Sequence, residues 1–268
     1  MPQAPVPQST ISGLAKWDVV RQLSYRNGDF AVPLRRFSRG APLALGEPLF
    51  FQSKMSCDVD GAPNAYHPVD DTLALDTISS AEGVRENGLA AGPLAVLPSP
   101  EIVAYDQGKP YIQVDGDYRG FFVSRTSLEN EALPKIDPNR YLDARKIQYI
   151  VLPSGMVPEA QVGDLAAAYD PVSHSVAYAV FGDIGPVTES GEASIATLHR
   201  LGVTCMDGKS CPCEDRHDLL FIVFPGTAGK LQKADKWPYL QRTIDRLAEV
   251  EFRNWGGLAA AQIACSAG

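Results

Sequence analysis

From Trp17 onward the apolar positions fall into short runs broken by Gly, Pro, Asn and Asp, a pattern that predicts a strand-rich domain with long connections. Seven runs read as strands, at 49–56, 102–106, 111–115, 120–125, 148–153, 176–182 and 218–225. They point to a mainly β, α+β fold built on a mainly antiparallel sheet or barrel. Helices are expected at 163–170, which has an acidic first turn, and at 194–202, which ends on a capping glycine. Near the C-terminus Trp237, Leu240, Ile244, Leu247 and Val250 recur at three- and four-residue intervals and predict an amphipathic helix. Such a stripe usually docks on the chain's own core. The expected organisation is therefore a domain over 17–230 with a helical extension, 231–268, packed on it. Residues 1–16 have prolines and no apolar period, and read as a disordered tail or a remnant that is no part of the fold.

Charge narrows the class of partner. Over 268 residues, 32 acidic and 24 basic side chains leave a net charge of −8, the wrong sign for nucleic acid. A carboxylate-lined cleft would instead concentrate a cationic substrate, although the same charge also serves plain solubility. No run approaches the length of a membrane span, and the N-terminus has neither a basic start nor an apolar stretch, so a soluble chain without an export signal is expected. A monomer is expected too. The five cysteines, Cys57, Cys205, Cys211, Cys213 and Cys265, are odd in number and too few for a disulfide scaffold. Cys205, Cys211, Cys213 and His217 lack the paired C-x-x-C spacing of zinc knuckles, so a local disulfide or free thiols are expected, with no metal and no cofactor.

Two segments carry candidate chemistry. In 176–195, an apolar run delivers Asp183 into a turn containing Gly182, Gly185 and Pro186, and Glu192 stands in a second glycine-flanked turn before the helix at 194. Hydrolysis of a glycosidic bond needs two carboxyl groups facing each other across the sugar, and these acids meet that demand. Their alternative use is to cap the turn and the helix. In 57–77, Asp58, Asp60, Asp70, Asp71 and Asp76 alternate with Asn64, Tyr66 and His67. These groups could bind an amino sugar, the acids through its ammonium and Tyr66 through its ring face. A calcium loop is the rival, but the required bidentate glutamate is missing. A solvated loop is the third reading. No G-x-S-x-G elbow, phosphate-binding loop or H-E-x-x-H motif is present.

The fragments Asp60-GAPNAYHP, Gly120-FFVSRTSL, Pro138-NRYLDARKIQYIVLPSG, Gly163-DLA, Tyr178-AVFGDIGP, Gly191-EASI and Phe224-PG run in order along the chain. In these it resembles glycoside hydrolase family 75, the fungal-type chitosanases. The resemblance implies an endo-acting, inverting hydrolase of β-1,4 bonds between glucosamine units, with Asp183 and Glu192 as catalytic pair. Glu192 is the preferred acid and Asp183 the preferred base. Asp58, Asp60, Asn64, Tyr66, His67 and Asp70 are then expected to bind the cationic polysaccharide. It also implies a strand-rich barrel similar to the six-stranded double-psi type, and secretion, although no signal peptide is present. Two rivals keep parts of this picture: a hydrolase of peptidoglycan glycan strands, and a non-catalytic carbohydrate-binding module.

Overall fold

The computed structural model describes residues 16–25, 28–37, 47–82, 84–85, 96–156, 159–211 and 215–266. The tail expected over 1–16, apart from Lys16, and Cys213 of the cysteine cluster lie outside them. The longest apolar runs make the centre of a nine-stranded mixed sheet. In spatial order it contains β1 (Trp17–Tyr25), β2 (Phe30–Phe37), β3 (Leu49–Ser53), β13 (Leu219–Phe224), β10 (Leu165–Tyr169), β11 (Val176–Gly185), β9 (Tyr149–Pro153), β12 (Glu192–Ser194) and β4 (Ser56–Asp58). Neighbours from β1 to β11 are antiparallel, β9 runs parallel to β11, β12 antiparallel to β9, and β4 parallel to β12. Two short ribbons lie apart, β5 (Val84–Arg85) with β6 (Val96–Leu97) and β7 (Tyr105–Asp106) with β8 (Lys109–Pro110).

Strand-rich architecture is as expected; the barrel is not. The β1–β2 hairpin ends the sheet on one side and the three-residue β4 on the other, and no ladder joins them, so the described residues form an open sheet and no closed barrel. Segment 163–170 is also corrected, from helix to strand. Every residue of β10 is buried, and it bonds to β13 on one side and β11 on the other. A short, uniformly apolar run has no period that separates helix from strand, and pairing on both edges decides it. The runs at 102–106, 111–115 and 120–125 shrink to β7 and to isolated bridges, Val103 with Ser124 and Ile112 with Phe122. Gly108, Pro110 and Gly116 interrupt them, and their amides bond across a folded loop layer, as Gln113 N does to Phe121 O and Phe122 N to Tyr66 O.

Both faces of the sheet are covered. Ile150, Leu152, Phe181, Phe221 and Val223 face the hairpin, together with Leu198 of α1 (Ile195–Arg200). On the other face, Leu165, Ala167, Leu220 and Ile222 pack against α3 (Gln241–Trp255) and α4 (Gly257–Cys265), which follow the short α2 (Ala228–Ala234). Tyr149, Val151 and Val180 of that same face meet the 59–147 loop layer. The buried stripe of α3 is Ile244, Ala248, Phe252 and Trp255. It is displaced from the expected one: Trp237 and Leu240 precede the helix, and Val250 is 50% exposed. The docking angle is set by aromatic packing of Trp255 on Phe37 and Phe50.

Candidate active site

The central strand β9 organises the site. Val151 is the ladder partner of Asp183 on β11 and of Glu192 on β12, so the two acids flank one strand at one level. Ladder partners share a face of the sheet, and side chains alternate along each strand. On β11, Val180 faces the loop layer, and Asp183, three residues on, would point away in a regular strand. A bulge between Phe181 and Asp183 adds the extra residue, Gly182, and returns Asp183 to the face of Val180. The bulge requires glycine: a Cβ at Gly182 would lie 2.6 Å from Tyr149 Cβ and 3.0 Å from Leu142 Cδ1. On β12, Glu192 follows Gly191, whose φ of +88° lets the chain turn against the backbone of Lys54. Gly191 O then accepts from Ser56 N at 2.8 Å, which ties the turn to β4.

β4 brings in the second acidic segment. Asp58 is paired with Ser194, two residues beyond Glu192, and so lies on the same face. One carboxylate oxygen from each of Asp58, Asp60 and Asp183 lies within 4.8 Å of the others, a spacing at which one cation could touch all three. Each acid is individually braced. Asp183 Oδ1 accepts from Ser127 Oγ at 2.6 Å, Ser127 N at 2.9 Å and Ile184 N at 2.8 Å. Asp60 Oδ1 accepts from the hydroxyls of Tyr66 and Ser124, both at 2.9 Å, and Asp58 Oδ1 from Asp60 N at 2.8 Å. Tyr149 donates its hydroxyl to Asp60 O at 2.9 Å.

Crowding and burial displace the acids' titration. Burial pushes Asp183 up to about 6, against the bonds from Ser127 and Ile184 that favour its ionised form. Burial pushes Glu192 up to about 7, with Lys54 opposing and Glu189 and Asp183 adding to the rise. Asp58 and Asp60 are held well above the usual carboxylate range, by burial first and then by neighbouring carboxylates. Asp58, Asp60 and Glu192 nevertheless keep part of their surface open to solvent, while Asp183 is 8% exposed.

The capping roles do not account for both acids. Ser194 is the N-cap of α1, its Oγ accepting from Thr197 N at 3.2 Å, so Glu192 is not needed there. Asp183 does brace a turn, but one contributed by Ser127, from a distant part of the chain. Of the residues expected to bind sugar, Asp58 and Asp60 join Asp183. Tyr66 is 3% exposed with its hydroxyl on Asp60, so it supports the acid and offers no ring face to a ligand. Asp70 caps its own turn through Thr72, His67 accepts from Asp70 N, and neither bonds to the four acids; Asn64 forms no such bond either. His217 stacks with Tyr25 and Phe30, whereas the Cys205 and Cys211 thiols bond to the carbonyls of Asp207 and Met55.

Ser124, Ser127, Tyr149 and Lys54 belong to the site without having been singled out from the sequence. The two serines do lie in the fragment Gly120-FFVSRTSL, which offered a signal; Lys54, paired with Glu189 at 3.4 Å, offered none. No protein-family model and no curated protein matches the chain.

Proposed function

We propose that the chain is an inverting, endo-acting glycoside hydrolase that cuts β-1,4 bonds between glucosamine units of a chitosan-like polymer. The observation that carries this reading is the placement of Asp183 and Glu192 on either side of Val151. With one strand between them, their Cα atoms are roughly 9.5 Å apart at ordinary strand spacing, and the carboxyl separation is set by the side chains, Glu192 Oε2 reaching across to 3.1 Å from where a Cβ of Gly185 would lie. Carboxyl separations of about 6.5–9.5 Å leave room for a water opposite the scissile bond, the arrangement of inversion, whereas about 5 Å suits a covalent intermediate.

Burial raises the pKa of both acids, which lets one hold a proton near neutral pH while the other is ionised. Glu192, at about 7, keeps its proton into the neutral range and donates it to the leaving oxygen. Asp183, at about 6, ionises first and orients the attacking water as general base, with Ser127 holding one carboxylate oxygen. Asp58 and Asp60 crowd the base in a site that favours their protonated forms, and a cationic amino sugar seated beside them would favour their ionised forms. The resemblance to family 75 chitosanases supplies the polymer. Anomer-resolved NMR of the first turnovers on chitosan tests the mechanism: inversion of a β bond yields the α-anomer first, and the β-anomer appearing first would contradict it.

A further inference from the structure

A second concavity lies apart from the Asp183–Glu192 pair. It is a cavity of about 610 Å³, and neither Asp183 nor Glu192 lines it. Its wall takes Ile147 from the turn just before β9, together with Gly61 and Pro63 of the loop layer. The cavity therefore adjoins the acid-bearing loop layer through Gly61, next to Asp60, without including the Asp183–Glu192 pair.

Its chemistry becomes plain once the internal pairs are set aside. Arg145 is clamped on Asp143 by two bonds, 2.9 Å from Nε and 2.8 Å from the terminal nitrogen, and its other nitrogen donates to Tyr118 OH at 2.8 Å. Lys146 lies 3.0 Å from the same Asp143. Both cations of the wall are thus spent on one carboxylate. Arg145 also covers the ring of Tyr118, which leaves the rings of Tyr111, Trp237 and Tyr239, with Asp115 and Asp117 exposed in the lining and in no ion pair among the described residues. Trp237 is fixed by its Nε1 donating to Asn139 O at 2.6 Å, and Tyr239 packs edge-on against it at 5.1 Å. Preset rings with unspent carboxylates beside them suit a ligand that has flat C–H faces and positive charge.

We propose that this cavity is a second saccharide site that takes a short run of cationic amino-sugar units, apart from the carboxylates that would cut the chain. The choice of glucosamine rests on the chitosan reading above; the aromatic, acid-lined cavity does not. Holding a polymer at a second place on the molecule would raise the local concentration of chain at the carboxylates.

The test is calorimetric binding of a glucosamine tetramer to the full chain carrying Glu192→Gln, at low salt, and to the same chain carrying in addition Asp115→Asn and Asp117→Asn or, separately, Tyr239→Ala. The two substitutions replace exposed side chains that bond to no other side chain among the described residues, so they test charge without disturbing the fold. The expected result is two tetramers per chain, with one binding event weakened roughly tenfold or more by each cavity variant. An acetylated tetramer, which lacks the charge, should lose that same event. Unchanged affinity and stoichiometry in both cavity variants, or no binding at all, would overturn the proposal. Failure of the catalytic reading looks different: binding lost on mutating the cavity, with no reducing ends released from chitosan by the wild type.

Discussion

At the scale of single residues, the proposed hydrolysis requires Asp183 and Glu192 to hold opposite protonation states. The productive form has Asp183 ionised and Glu192 protonated, so kcat/KM on soluble chitosan should rise through about 6 and fall through about 7. Replacing Glu192 with Gln should remove the alkaline limb along with most of the activity; a profile still falling there would reassign the acid. Asp60 gives a prediction of opposite character. Its folded pKa is raised, so its proton is bound more tightly in the folded chain, and the stability this contributes at low pH is lost as pH climbs through the raised value. Asp60→Asn keeps an Oδ1 acceptor for Tyr66 and Ser124 and escapes that loss. Its melting temperature should exceed the wild type's by an amount that grows as pH rises above about 4, the value of an unfolded aspartate, and a constant difference would show that Asp60 is ionised without strain. Asp183, Glu192, Asp58 and Asp60 were legible as acids in turns of the sequence. Their convergence was not, because it depends on ladders between strands far apart in the chain. Tyr66 shows the reverse error: an aromatic beside acids reads as a sugar platform, yet its ring is buried and only its hydroxyl reaches the site.

At the scale of elements, the bulge in β11 decides which way Asp183 points. Gly182→Ala would push a methyl into Tyr149 and Leu142, and overpacking of that kind costs about 1–3 kcal/mol. Denaturant unfolding should show this loss, and activity should fall further than stability because the relaxed bulge re-aims Asp183; full activity would mean that the bulge does not set its direction. The glycine was visible beside Asp183 in the sequence, but its function was not, since a bulge is defined only against the partner strand. β9, β11, β13 and α1 were readable because their apolar runs are bounded by turns. β10 was misread because Leu-Ala-Ala-Ala-Tyr favours a helix locally and becomes a strand only between β13 and β11. The C-terminal helix was readable as an element and misplaced in phase, its contact being fixed by Phe252 and Trp255 beyond the expected stripe.

At the scale of the molecule, an open mixed sheet takes the place of the expected barrel, and its two faces divide the work. One face is given over to packing beneath the β1–β2 hairpin; the other meets the helices at one part and the acid-bearing loop layer at the other. The net charge of −8 has no bearing on that architecture, but it fits a positively charged polymer as substrate. No helix among the described residues is long and apolar enough to cross a membrane. The central claim, that Asp183 and Glu192 form a hydrolytic pair, is tested most directly by the release of reducing ends from soluble chitosan. Wild type is compared with Asp183→Asn and Glu192→Gln, each checked for an unchanged fold. The account predicts steady release by the wild type and a fall of about a hundred- to ten-thousand-fold in each variant. A variant that keeps the wild-type rate, or a wild type that releases no reducing ends, would contradict it.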